Sequence, residues 1–477
     1  MHPTIVLFKK DLRLKDNPAL HEAAKLKKPL LLVYIDDSAE HDMPIGKYQK
    51  IALHHSLESL KNTLKEEGHT LHFFKGNIKK TLMDLIKKTQ ADAIFWNRCY
   101  EPFEIKRDTD LKKTLLDFGL QVQTFSSYLL FEPWTVLNQK KEFFRVFTPF
   151  WKHLSQILQV DRPLSKPHFD SYNKKIDHLN LDDLNLLSKI PTQLEKYWEF
   201  GEEKALKKLN KFLQNGLKIY SVGRDFPAIE ATSKLSCYLH LGEISPRQIV
   251  YETQLYVEKE KDKELKLQMV KFFSEIGWRE FAYNLLYHFP DLAIKPFKSQ
   301  YAHFPWKKNE KFLSAWKEGM TGFPIIDAGM RQLKQTGWMH NRIRMVVASF
   351  LIKNGMIHWH EGENWFYEHL VDADLANNSA SWQWVFGSGA DAAPYFRVFN
   401  PILQSEKFDP EGKYIKTYVP EVKDLDIKYL HDPSSAPKEA LEKAKITLNL
   451  TYPKAICDLN ETRDAVLKAY KHVQESK

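Results

Sequence analysis

At 477 residues the chain exceeds what one ordinary hydrophobic core supports, so two or three domains are expected. Apolar residues make up 43% and charged ones 27%, a soluble globular balance, and the net charge of +9 permits an anionic partner such as nucleic acid without requiring one. Three scattered cysteines (Cys99, Cys237, Cys457) argue against a disulfide framework or a zinc site, and neither a signal peptide nor a membrane-length apolar run is present, so a cytoplasmic protein without a membrane partner is expected.

Residues 1–128 alternate short β-branched runs with helical patterns. Thr4–Phe8, Leu30–Ile35, Thr70–Lys75, Ala91–Trp96 and Gln121–Ser126 read as strands, with helices near Pro18–Leu26, Lys47–Glu66, Ile78–Lys87 and Glu104–Phe118. Asp16-Asn17-Pro18 supplies a side-chain cap followed by proline in the first turn. The alternation predicts an α/β domain with a parallel, five-stranded, doubly wound sheet. No GxGxxG follows the first strand, so no dinucleotide fingerprint is read there.

Residues 129–198 are rich in Pro, Asn, Asp and Lys and read as a connector wrapped on the surface, partly packed by Phe143, Phe144, Phe147, Phe150 and Trp151. From 199 to 477 helical periodicity dominates, in Glu202–Leu213, Leu265–Tyr287, Thr336–Lys353 and Glu461–Val473. The charged run Glu258–Lys266 reads as a solvated helix face.

Three stretches carry chemistry. In Gly337–Phe350, Trp338, Asn341 and Met345 recur at helical spacing on one face, and an amide on an apolar face needs a partner. In Phe272–Phe281, Glu275 and Arg279 form an i,i+4 pair, while Glu275 and Trp278 offer a carboxylate beside a flat stacking surface suited to a splayed-out base. Thr232–Ser236 offers hydroxyls, backbone N–H groups and one ammonium ahead of a helix, a weak diphosphate cradle. Beyond these, Val371–Pro401 joins acids, amides, tryptophans and small residues, a mixture that fits a large planar ligand as well as a tight helical corner.

With Thr232–Ser236, the Glu275–Phe281 helix, WMHNRIRM and DADLANNSASWQW in this order, the sequence resembles the photolyase/cryptochrome family, most nearly its class I cyclobutane pyrimidine dimer (CPD) photolyases. The likeness runs from FKKDLRLKDNPAL to YPKAICDLNETRDAVLKAY. It implies an all-α, FAD-binding second domain. Tyr220, Thr232, Ser233, Lys234, Leu235 and Ser236 match the cofactor's phosphate-binding positions, and Phe272, Arg279 and Asn341 match further cofactor contacts. Asp372 and Asp374 match the carboxylates beside the ribityl chain and ring, with Arg344 paired to Asp372. Asn378 matches the residue facing flavin N5. Trp306, Trp359 and Trp382 match an electron relay to the surface. Phe272 departs from the tryptophan that many relatives carry.

The same resemblance implies a dimer pocket of Glu275, Trp278, Asn341, Met345 and Trp384, with DNA contacts from Arg224, Arg279, Arg342, Arg397 and Gln404. Met345 occupies the region where (6-4) photoproduct enzymes carry a histidine pair. A second antenna chromophore is implied near His41 and Glu104. Methenyltetrahydrofolate is preferred over 8-hydroxy-5-deazaflavin or none, although Phe103 and Ala293 replace the usual Asn and Lys. The expectation is a monomeric enzyme, without a metal, that repairs CPDs in UV-damaged DNA. The alternative is a cryptochrome-type blue-light photoreceptor.

Overall fold

In a computed structural model of the chain, residues 2–40, 43–187, 194–392 and 396–475 are described. Strands β1 (Thr4–Phe8), β2 (Leu30–Asp36), β3 (Leu71–Lys75), β4 (Ala93–Asn97) and β5 (Gln121–Phe125) form one parallel sheet in the order β3-β2-β1-β4-β5. Every residue of β1, β2 and β4 is buried, as central strands covered on both faces require. Thr4 pairs with Leu30 on one side and Ala93 on the other. Helices α1 (Pro18–Lys25), α2 (Lys47–Glu66), α3 (Ile78–Thr89) and α4 (Pro102–Asp117) make the crossovers. All nine elements lie within two residues of their sequence-predicted bounds. The order reverses at β1, so a crevice opens at the carboxyl ends of the central strands.

The loop from β1 to α1 joins the two parts of the molecule. Asn17 caps α1, accepting from Leu20 N at 3.2 Å. The buried Arg13 donates to the carbonyl oxygens of Gly242 (2.8 Å), Asp16 (2.9 Å) and Ser127 (3.1 Å). Leu14 N and Lys15 N donate to Glu202 at 2.8 and 3.1 Å, and Asp16 accepts from Ser245 and Arg247. KKDLRLKDN is therefore an interdomain clamp as well as a helix start.

The connector is less of a loop than its composition suggests. It contains α5 (Phe147–Ile157), and it runs beside the sheet, bridging Leu30 to Ser171 and Phe73 to Leu179. Phe147, Phe150, Trp151 and Leu154 follow helical spacing, and Pro149 sits in the first turn, where proline is tolerated.

The helical part comprises α6 (Glu202–Lys211), α7 (Tyr220–Gly223), α8 (Ser236–Leu241), α9 (Pro246–Glu260), α10 (Lys263–His288), α11 (Glu310–Glu318), α12 (Pro324–Thr336), α13 (Asn341–Ser349), α14 (Trp359–His369), α15 (Leu375–Phe386) and α16 (Pro401–Phe408), followed by shorter helices and the long final one, Leu459–Glu475. Two expectations fail. Thr336–Lys353 is not one helix: α12 stops at Gly337, whose φ of 68° favours glycine, and His340 caps α13 by accepting from Arg342 N at 3.2 Å. Glu258–Lys266 is a corner rather than a single face, because Lys261 (φ 55°) ends α9 and Asp262 caps α10. The 26-residue α10 is the axis, packed by α5, α9 and α15. A methyl group at its Gly277 would overlap the Trp151 ring of α5. Among the described residues no helix is long and apolar enough to cross a membrane.

Candidate cofactor and substrate cavity

Helices α7, α8, α10, α13 and α15 enclose a cavity of about 560 Å³, within the size range of small-molecule sites. Its lining includes Tyr220, Ser233, Leu235, Ser236, Phe272, Arg279, Arg344, Asp372, Asp374, Asn378 and Trp382. Asp374 caps α15, accepting from Asn377 N and Nδ2 at 2.8 Å each. Burial raises the pKa of its carboxyl against the pull of Asn377 and Arg279. Arg344 holds Asp372 with Nη2 at 2.9 and 3.1 Å from its two oxygens, and Nε donates to Met339 O at 2.8 Å. Asn378 donates Nδ2 to Glu363 O at 3.0 Å, so its amide oxygen is the end left for the cavity.

Arg279 is buried against Tyr128 (4.3 Å to the ring centroid) and Tyr283 (5.3 Å) and donates Nη1 to Tyr128 O at 2.8 Å. Its Nη2 is buried without a hydrogen-bond partner on this cavity wall. Such a donor calls for an anion or a carbonyl oxygen inside, and the surrounding acids, amide and hydroxyls match the hydroxyl- and nitrogen-bearing edges of a flavin nucleotide. The residues present fit that group.

The same lining also includes Trp278, Trp384, Met345, Asn341, Glu275, Arg224 and Arg342. Trp278 stacks on Phe147 at 3.7 Å and 8°, and Trp384 Nε1 donates to Asp391 O at 3.2 Å. The expected Glu275–Arg279 pair does not form. Glu275 is ion-paired to Arg224 and lies 3.4 Å from Lys271, while Arg279 turns the other way, toward Tyr128. Burial opposes the charge on Arg224, yet Glu275 and Tyr220 keep its pKa raised. Arg342 pairs with Asp225 at 2.8 Å and lies over the Phe408 ring at 4.4 Å.

Other sequence-predicted residues lie off this lining. Thr232 and Lys234 are outside it, and Lys234 lies 5.2 Å over the Trp338 ring. Trp338 precedes α13, so only Asn341 and Met345 of its predicted face reach the cavity. Arg397 is exposed and Gln404 half-buried, both beyond the wall. Trp382 is buried over Gly362, one turn beyond the buried Trp359 on α14; the half-buried Trp306 reaches them through His358 (4.9 Å) and Phe386 (4.7 Å). Phe147, Tyr128 and Tyr283 shape the site and were not anticipated. The spacing of α5 could have revealed Phe147, and Tyr283 follows Arg279 by one turn of α10, but nothing local marks Tyr128.

The crevice at the sheet's carboxyl edge is smaller, about 90 Å³, lined by Lys10, Asp36, Asp37, Glu104, Arg107 and His240 among others. Glu104 is engaged at both oxygens, by Lys10 at 3.1 Å and Glu101 N at 3.2 Å. Lys10 and Arg107 outweigh its burial and hold its pKa down at about 2. Arg107 pairs with Asp37 at 2.6 Å. Glu104, one of the two antenna candidates, thus lines this crevice with its carboxylate paired to Lys10. His41, the other antenna candidate, lies outside the described residues.

Fold and cavity together define a protein with a parallel-sheet part and a helical part, the latter enclosing a cavity suited to a nucleotide cofactor and lined by aromatic side chains. The family model described as DNA photolyase matches residues 4–168, and the one described as FAD binding domain of DNA photolyase matches residues 272–472. A deoxyribodipyrimidine photo-lyase of Agrobacterium fabrum is 45% identical, over 99% of this chain and 98% of its own length. Cryptochrome-2 of Arabidopsis thaliana is 33% identical, over 99% of this chain and 79% of its own. The crystal structure of a class III photolyase from Agrobacterium tumefaciens superposes with a TM-score of 0.95 at 44% identity, covering 100% of this chain and 98% of that one. The chain belongs to the DNA photolyase family, and its helical part is a FAD-binding domain. That neighbour is class III, where the sequence likeness had pointed to class I.

Proposed function

We propose that this protein is a light-driven deoxyribodipyrimidine photo-lyase that splits cyclobutane pyrimidine dimers in DNA. The observation that carries the reading is that one cavity contains both the flavin-type set (Arg279, Asp372, Asp374, Asn378) and the dimer-type set (Glu275, Trp278, Asn341, Met345, Trp384).

The free Nη2 of Arg279, with Ser233 and Ser236, is suited to the cofactor's phosphates; Asp374 is suited to its ribityl hydroxyls. The Asn378 amide oxygen accepts a hydrogen bond from a reduced ring nitrogen and has no acidic proton to return. The chemistry a bound reduced flavin supplies is a light-driven one-electron transfer to the dimer, recovered after the cyclobutane ring opens, so net redox change is zero. The chain's own work is placement. Arg224 and Arg342 meet phosphates near the lesion. The poorly stacked dimer turns out of the duplex into the slot. Trp278 and Trp384 flank it, Glu275 and Asn341 bond its polar edge, and Met345 packs without offering a proton. Apolar walls exclude water. Trp382, Trp359 and Trp306 carry oxidation outward when the cofactor must first be reduced.

The test is illumination of purified protein with dimer-containing DNA under reducing conditions. Restored pyrimidines are expected. A yellow, flavin-loaded protein that leaves dimers intact in the light would instead support the photoreceptor reading. Affinity for the same DNA is expected to fall linearly on a log–log plot against salt, by about 0.9 per phosphate neutralised.

A further inference from the structure

Helix α13 does not stop cleanly at Ser349. It continues as one wide turn, Phe350–Asn354, in which every residue is buried, including Lys353. Wide turns of this kind displace side chains around the helix and recur at functional positions. The Lys353 Nζ donates to the carbonyl oxygen of Arg397 and lies 4.5 Å from the Phe396 ring centroid. Among the described residues no carboxylate pairs with it. Burial, with a smaller contribution from the Arg397 guanidinium, pushes its pKa down to about 7.

Residues 396–399 form a strap across this ammonium. Phe396 is buried and stacks on Tyr470 of the final helix at 4.4 Å, and Phe399 is buried and donates its N–H to Ser349 Oγ at 3.4 Å. Arg397 points outward between them, its guanidinium 5.0 Å over the Phe399 ring. The helix that presents Asn341 and Met345 to the slot thus grips the strap at Ser349 and Lys353. Eight residues separate Met345 from Lys353, roughly 12 Å along the axis. A buried cation without an acid is expensive to keep when methionine would fill the same space. What lysine adds is a donor that fixes the strap backbone.

We infer that Lys353 is a positioning residue for DNA: it docks the strap at a set distance from the slot, so that the Arg397 guanidinium meets a phosphate of the strand flanking the flipped dimer. The inference rests on the repair reading above for the identity of the strand. It does not rest on that reading for the docking.

The test compares wild type, Lys353→Met, Lys353→Arg, Arg397→Gln and the Lys353→Met/Arg397→Gln double variant, each checked for retained flavin. Binding of duplexes with and without a dimer is measured across a salt series. Lys353→Met is expected to weaken binding about tenfold and to flatten the salt slope by about 0.9, the loss of one phosphate contact. The double variant should be no weaker than Arg397→Gln alone, and Lys353→Arg, which keeps a donor, should return to within about twofold of wild type. Without DNA, amide hydrogen exchange over 396–399 should speed up in Lys353→Met. Wild-type affinity and slope in Lys353→Met, losses that multiply in the double variant, or unchanged exchange would each overturn the inference. A Lys353→Arg variant as weak as Lys353→Met would do the same. A wild type with no preference for dimer-containing DNA would refute the repair reading, while the slope and exchange comparisons on undamaged duplex would still decide the role of Lys353.

Discussion

Glu275 stands between two demands. It is ion-paired with Arg224 and flanked by Lys271, yet it lines the slot where a dimer's polar edge would lie. Replacing it with alanine removes an ionised acceptor, whose hydrogen bonds contribute about 1.5–3 kcal/mol, and frees Arg224 for phosphate. Glu275→Ala should therefore bind dimer-containing DNA roughly 10- to 100-fold more weakly while holding or gaining affinity for undamaged duplex. Equal affinity for damaged DNA in a competition assay would remove Glu275 from the pocket. Trp382 is predicted differently. It is buried over Gly362 beside the cavity, so Trp382→Phe keeps the packing and removes the readily oxidised indole. Photoreduction of oxidised flavin should slow at least tenfold, and repair by chemically reduced enzyme should persist. Loss of both in flash spectroscopy and repair assays would make Trp382 structural.

At the scale of elements, the connector helix supports the substrate site from behind. Phe147 of α5 stacks on Trp278 of α10, fixing one wall of the slot without lining it. Aromatic pairs contribute about 0.5–1.5 kcal/mol beyond their buried area. Phe147→Leu should weaken dimer binding by roughly two- to tenfold, and unchanged affinity in a titration would show that Trp278 holds its orientation unaided. The turn from α8 to α9 makes a separate, pH-dependent link. Burial pushes the Glu243 carboxyl from 4.5 up to about 8, against the hydrogen bond it accepts from the Gly201 N–H. The folded state keeps this proton longer than the unfolded one, so the stabilisation is complete below pH 4.5 and is lost as pH rises to about 8, by on the order of a few kcal/mol. Glu243→Gln should narrow the difference in Tm between pH 5 and pH 8. An unaltered difference would mean that Glu243 is ionised in the fold.

For the whole molecule, the decisive contact is the clamp between the sheet domain and the helical domain. Arg13 satisfies carbonyls of Asp16, Ser127 and Gly242 that have left water, and each buried group stranded by its removal costs about 1–3 kcal/mol. Arg13→Met should lower stability by about 3 kcal/mol or more and uncouple the two parts, giving two calorimetric transitions in place of one. A single transition at the wild-type Tm would show that the interface holds without it.

Most of the fold was legible in the sequence because its signals are local. β-branched runs specify strands, Asn17-Pro18 starts a helix, and the order of Thr232–Ser236, Glu275–Trp278 and Asp372–Asn378 carries the family. What local pattern could not give was partner choice. Periodicity paired Glu275 with Arg279, but Tyr128, distant in sequence, and Tyr283, one turn further along α10, hold Arg279, and α7 brings Arg224 to Glu275 instead. Helical spacing joined Trp338 to Asn341 until Gly337 and the His340 cap broke the helix. The chain by itself determined its elements and the kinds of group available for chemistry, because propensity and capping act within a few residues. Only the tertiary structure decided which of those groups share a cavity and which are consumed by one another, as Glu104 is by Lys10, because those distances are set by packing between elements far apart in the chain.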